Sequence, residues 1–135
     1  MIKYLLDTCV ITDFIKERGC TVQNLLKTSK TSLAISSITI SEISYGLKKI
    51  EGSKKHKEIK EISTELLSQI EVINIDKKLA NEAGYIRHDL SRQGLIIGKY
   101  DILIGATAKY NNLIMVTSNT KEFNRIEGLK LENWR

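Results

Sequence analysis

IKYLLDTCVITDFIK, residues 2–16, changes period in its middle. The first five residues are apolar apart from Lys3 and read as a short buried strand that stops at Asp7. Residues 8–16 then carry the spacing of a helix, and a polar residue between an apolar run and a helical pattern is the usual strand-to-helix handover. The same alternation recurs along the chain. Residues 32–36 (SLAIS) read as a second strand, followed by a helix over 39–49 that opens with TISE, a capping box. A charged amphipathic helix over 53–69 places Ile59, Ile62, Leu66 and Ile70 on one face, and residues 71–75 (EVINI) make a third strand. Asp76 is the next N-cap, and its helix shows Leu79, Ala83, Ile86 and Leu90 on one face before ending near Gly94. Residues 101–110 (DILIGATAKY) are apolar nearly all round and predict a helix buried inside the protein. A fourth strand follows at 113–117 (LIMVT) and a short fifth at 129–132.

Strands that alternate with crossovers of a dozen residues or more predict an α/β protein with a mostly parallel sheet of four or five strands and helices on both faces. A chain of 135 residues with 35 Ile and Leu forms one domain with an ordinary core. The two cysteines, Cys9 and Cys20, lack zinc spacing and point to a reducing compartment, so the expected location is cytoplasmic. The N-terminus lacks the pattern of a signal peptide, and no apolar run approaches the roughly 18 residues of a membrane span. A formal charge of +5 permits a nucleic-acid partner without demanding one. The lysines from 48 to 60 interleave with Glu51, Glu58 and Glu61 and read as a solvated helix face. Only 6% of residues are aromatic, without clustering, so recognition of RNA by a base-stacking sheet is not indicated.

In parallel α/β folds the ligand crevice lies beyond the carboxyl ends of the strands. Asp7 follows strand one, Glu42 lies in the helix after strand two, Asp101 opens the buried helix, and Asn119 and Glu122 follow strand four. Each acid has a local explanation, Asp7 and Asp101 as N-caps and Glu42 as the third residue of the capping box. Together, three carboxylates in one crevice repel and raise one another's pKa unless a cation holds them. Such hard oxygen donors suit Mg²⁺, with Mn²⁺ as a substitute, and a carboxylate-held divalent ion on a basic protein suits hydrolysis of a phosphodiester. Both histidines, His56 and His88, sit in charged helical contexts, which removes a Ser-His-Asp arrangement. Neither GxxxxGK[ST] nor GxGxxG is present.

The pieces YLLDTCVITDF, SSITISEISYGL and IGKYDILIGATAKYNNLIMVTSNTKEFNRIEGLKLENW, in this order, resemble the PIN-domain ribonucleases, specifically the VapC toxins of bacterial toxin–antitoxin pairs. The resemblance implies a PIN-like three-layer α/β/α fold and a Mg²⁺-dependent endoribonuclease. Asp7 and Asp101 then match the acids that hold the metal, Glu42 the acid that completes the shell, and Asn119 the fourth polar position, with Thr8 and Glu122 in support. Cys9 and Tyr100 stand where relatives often have asparagine, and Asn119 where many have aspartate. Those departures keep alive an alternative, a PIN-fold binding module that acts through an antitoxin-like partner without catalysis. The resemblance further implies a VapB-like antitoxin, an RNA substrate in the form of tRNA, a homodimer within a larger toxin–antitoxin assembly, and promoter DNA contacted only through the antitoxin. Acid-cluster phosphatases of the haloacid-dehalogenase type need an aspartate at position 9, where this chain has cysteine, and receiver domains need a lysine and phosphoacceptor set that Asp76 alone does not supply.

Overall fold

The computed structural model describes residues 1–135. Five strands form one wholly parallel sheet: β1 (Tyr4–Leu6), β2 (Leu33–Ser36), β3 (Glu71–Ile73), β4 (Ile114–Val116) and β5 (Lys130–Glu132). Their spatial order is β3-β2-β1-β4-β5, so β1 is central and the direction of winding reverses between β1 and β4. Seven α-helices complete three α/β/α layers: α1 (Thr8–Ile15), α2 (Thr21–Lys27), α3 (Ser37–Lys49), α4 (His56–Ser68), α5 (Lys77–Arg92), α6 (Lys99–Tyr110) and α7 (Thr120–Phe123).

Period-two alternation divides the core. Leu5, Ala34 and Met115 face one side, where they pack with Ala83, Ile86 and Leu90 of α5 and with Ile102, Ile104 and Ala106 of α6. Leu6, Leu33, Ile35 and Val116 face the other, against Val10 and Ile11 of α1, Leu25 of α2 and Leu66 of α4. α6 therefore lies inside the molecule, as its unbroken apolar character predicts. Gly105 lets it come close to the chain beyond α7, because a Cβ there would stand 2.6 Å from Ile126 Cδ1.

Local boundaries differ from the sequence reading in several places, among them α4, which begins at His56 rather than at 53. α3 starts at Ser37, because the hydroxyl of Ser36 accepts the Ile38 N–H, and TISE is not a capping box. Thr39 is instead fully buried in the first turn, and Glu42 sits in the second. α6 is entered through Gly98, so Asp101 is its third residue rather than its cap. α2 and the four-residue α7 have no counterpart in the periodicity: α2 begins without a side-chain cap at Cys20, and α7 is too short to show a period. Asp76 is the plain N-cap expected, accepting the Leu79 N–H at 2.9 Å.

Candidate active site

Asp7 leaves the central strand directly into α1, and its carboxylate is 6% exposed. Oδ1 accepts the Thr8 N–H at 2.8 Å. Oδ2 accepts the Thr117 hydroxyl at 2.8 Å and the Cys9 thiol at 3.3 Å. Three short donors thus fix both oxygens of one carboxylate. Thr117, fully buried at the end of β4, also accepts the Asn119 N–H at 3.0 Å. Its hydroxyl ties the turn after β4 to the acid after β1 across the point where winding reverses. The sequence reading passed over Thr117, although a polar residue closing the apolar run LIMV was the available signal.

Thr8 serves a second acid. Its hydroxyl lies 2.7 Å from Glu42 Oε1 and 3.1 Å from Thr39 Oγ1, so its backbone holds Asp7 while its side chain holds Glu42. Asn119 donates through Nδ2 to Glu122 Oε2 at 2.8 Å. Cys9 Sγ also accepts from Ser118, at 3.5 Å from the amide and 3.4 Å from the hydroxyl, so it is bound into the same two loops.

Burial pushes the Asp7 carboxyl above its ordinary range; the Thr117, Cys9 and Thr8 hydrogen bonds oppose the rise, and the charge of Glu122 adds to it. Asp101 is pushed up to about 6, first by burial and then by the charges of Asp7, Glu122 and Glu42. The structure therefore brings the three other acids, Asp7, Glu42 and Glu122, within electrostatic reach of Asp101. Burial and the neighbouring Asp7 charge also push the Cys9 thiol up, which disfavours a reactive thiolate.

No cation answers this charge. The ion pairs of the chain are Arg18 and Arg135 with Asp13, and Lys48 with Glu51. As the side chains stand, no three His, Cys, Asp or Glu are gathered closely enough to hold a metal ion. An open set of hard oxygens with uncompensated charge is the donor chemistry that Mg²⁺ accepts, since that ion takes one or two carboxylates and keeps several waters. The residues present fit such an ion.

Comparison with known proteins gives concordant results. A PIN-domain model matches residues 4–129. The tRNA(fMet)-specific endonuclease VapC of Shigella flexneri is 34% identical over 134 residues, covering 99% of both chains. Ribonuclease VapC2 of Rickettsia felis is 38% identical over 133 residues, covering 97% of both. Among solved structures, VapBC2 of Rickettsia felis bound to a promoter DNA fragment superposes with a TM-score of 0.87 at 38% identity, and DNA-bound VapBC of Salmonella typhimurium with 0.88 at 32%, each over the whole of both chains.

Proposed function

Because the chain belongs to the PIN-domain family, and within it to the VapC proteins, we propose that it is a Mg²⁺-dependent endoribonuclease toxin that cleaves tRNA and is restrained by a VapB-like antitoxin. The observation that carries this reading is the set of four mutually repelling carboxylates, Asp7, Glu42, Asp101 and Glu122, without a basic side chain among them. Asp7 and Asp101 would hold the ion and Glu42 would complete its shell. Such an ion, when bound, would supply an acidified water and neutralisation of phosphodiester charge.

The chain's own residues do the rest. Thr117, Cys9 and the Thr8 amide hold Asp7 in one orientation, so that its carboxylate need not reorganise during the reaction. The Thr8 hydroxyl restrains Glu42, and Asn119, joined to Glu122, presents an amide toward water or substrate at the cleft edge. The name of the Shigella flexneri relative supports tRNA as substrate, and the VapBC complexes support an antitoxin partner and a DNA-bound assembly. In this reading the antitoxin makes the promoter contacts. A homodimer of this chain forms the toxin unit of that assembly.

The test is incubation of the purified protein with total tRNA, with Mg²⁺ or with chelator, beside Asp7→Ala. Discrete fragments that need the metal and vanish in the variant are expected. Fragments that persist with chelator or in Asp7→Ala would refute the metal-dependent reading. A wild-type protein that neither cleaves nor binds Mg²⁺ or Mn²⁺ would favour a noncatalytic binding module.

A further inference from the structure

Composition conceals where the five tyrosines lie. Tyr4 packs edge-on against Trp134, with ring centroids 5.1 Å apart. Tyr85 and Tyr110 are exposed along α5 and at the far end of α6. The other two flank the acids. Tyr100 immediately precedes Asp101 in the first turn of α6 and is 58% exposed. Tyr45 follows Glu42 by one turn in α3 and is 68% exposed. Helical side chains lean toward the N-terminus of their helix and cover the preceding turn, which sets Tyr45 over the turn bearing Glu42. The two helices pack against each other.

Each tyrosine also has a lysine near it in sequence. Lys49 stands over the Tyr45 ring, 5.6 Å from its centroid, and Lys99 precedes Tyr100 in the first turn of α6, on the side of that helix that meets α5. Neither lysine is in an ion pair. Large exposed aromatics are costly to leave in water, and these two stand within one helical turn of Glu42 and Asp101, acids that by themselves repel phosphate. An aromatic face next to a free ammonium is the combination that binds unpaired nucleotides, the ring stacking on a base and the cation taking the neighbouring phosphate.

Building on the nuclease reading above, we propose that Tyr45 with Lys49 on α3, and Tyr100 on α6, form two base-stacking subsites that grip unpaired nucleotides on either side of the scissile phosphate. The tyrosines select single-stranded over duplex RNA, because a paired base offers its face only to its neighbours in the stack. Lys49 offsets the repulsion between the acids and the incoming backbone.

Binding is measured on the full chain in chelator, where no cleavage occurs, using a short fluorescein-labelled oligoribonucleotide without self-complementarity and a duplex of the same length. Tyr45→Ala and Tyr100→Ala are each expected to raise the Kd for the single strand by about 5- to 100-fold, the range for losing one stacked base. Duplex binding should be unchanged, the two Phe variants should bind within about twofold of wild type because the ring face is retained, and Tyr110→Ala should have no effect. Alanine variants that bind the single strand as wild type does would overturn the proposal. So would alanine variants that sediment as a smaller species yet still bind RNA, since the tyrosines would then join two copies of this chain. If the wild type cleaves RNA and the alanine variants both bind and cleave normally, only this inference fails. If tyrosine-dependent binding is seen in a protein that cleaves nothing with Mg²⁺ or Mn²⁺, the nuclease reading fails and the subsites stand.

Discussion

Asp7 and Asp13 lie at opposite ends of the same short helix, both nearly inaccessible, at 6% and 2% exposure. Their surroundings are opposite. Asp13 receives both arms of the Arg135 guanidinium, at 2.8 and 3.1 Å, with Arg18 at 3.7 Å. The chain end is drawn in so closely that a Cβ on Gly19, whose φ is +58°, would stand 2.5 Å from the Arg135 carbonyl carbon. Asp7 has hydroxyl, thiol and amide donors but no cation, and its nearest charges are other acids. A buried carboxylate whose charge is answered within the chain fastens structure. One whose charge is left unanswered stays available to a cation from outside.

That contrast breaks most sharply in the variants with the largest expected effects. Asp101→Ala should lower RNA cleavage by about 10³-fold, the scale of the several kcal/mol that a bound metal contributes to transition-state charge. Its circular dichroism should match wild type. Arg135→Ala should do the reverse, lowering the thermal midpoint by several degrees while leaving cleavage per folded molecule intact, because it leaves the buried Asp13 charge with only the longer Arg18 contact. Asp13→Ala should cost less than Arg135→Ala, since it removes the buried charge itself and leaves Arg135 and Arg18, both partly exposed, to be solvated by water. If Asp13→Ala abolished cleavage without loss of stability, the division between the two aspartates would fail.

Thr117→Val tests the middle of the range. Loss of the hydroxyl that orients Asp7 should reduce metal affinity and cleavage by about 10- to 100-fold, as for other groups that orient metal ligands. Titration calorimetry with Mn²⁺ reads the affinity separately from turnover. Thr117→Ser should recover most of both.

Acidity sharpens the comparison further. Burial and the neighbouring acids push the Asp101 carboxyl up to about 6 in the folded chain, against an ordinary value of 3.8. Between those values the folded state keeps a proton that the unfolded state has lost, so stability falls as pH rises through this window, and the full cost is present above 6. Asp7, also raised, acts in the same direction. Without divalent ions, Asp101→Asn should therefore raise the thermal midpoint at about pH 7.5 and leave it nearly unchanged at about pH 4. Metal affinity should weaken below pH 6 as Asp101 takes up its proton. The smallest effect belongs to Asp76→Ala, which removes an ordinary helix cap and should cost about 1 kcal/mol without altering cleavage.

Much of this architecture is legible in local pattern. The five strands and the helices α1, α3, α4, α5 and α6 each carry their own period, and short apolar runs joined by long crossovers leave little alternative to a parallel sheet. Boundaries are less legible, because Ser36, Ser37 and Thr39 can each cap a helix and only the pairing of Ser36 with Ile73 in the sheet decides among them. The acids stand out in sequence through their positions after strands. The hydroxyl of Thr117 does not, because its role depends on β1 and β4 being neighbours.

The sequence by itself therefore determined the order of elements, the buried character of α6, the PIN-like pattern and the acids that follow its strands, since periodicity and capping are recorded within a few neighbouring residues. Only the tertiary structure decided which acids keep their charge unanswered. Asp13 meets Arg135 across 122 residues of chain, whereas Asp7 and Asp101 meet one another and Glu122 with no base between them. It also decided that Tyr45 and Tyr100, each within a turn of an acid, stand exposed. Charge and exposure are properties of neighbours in space, and those neighbours are assembled by the sheet.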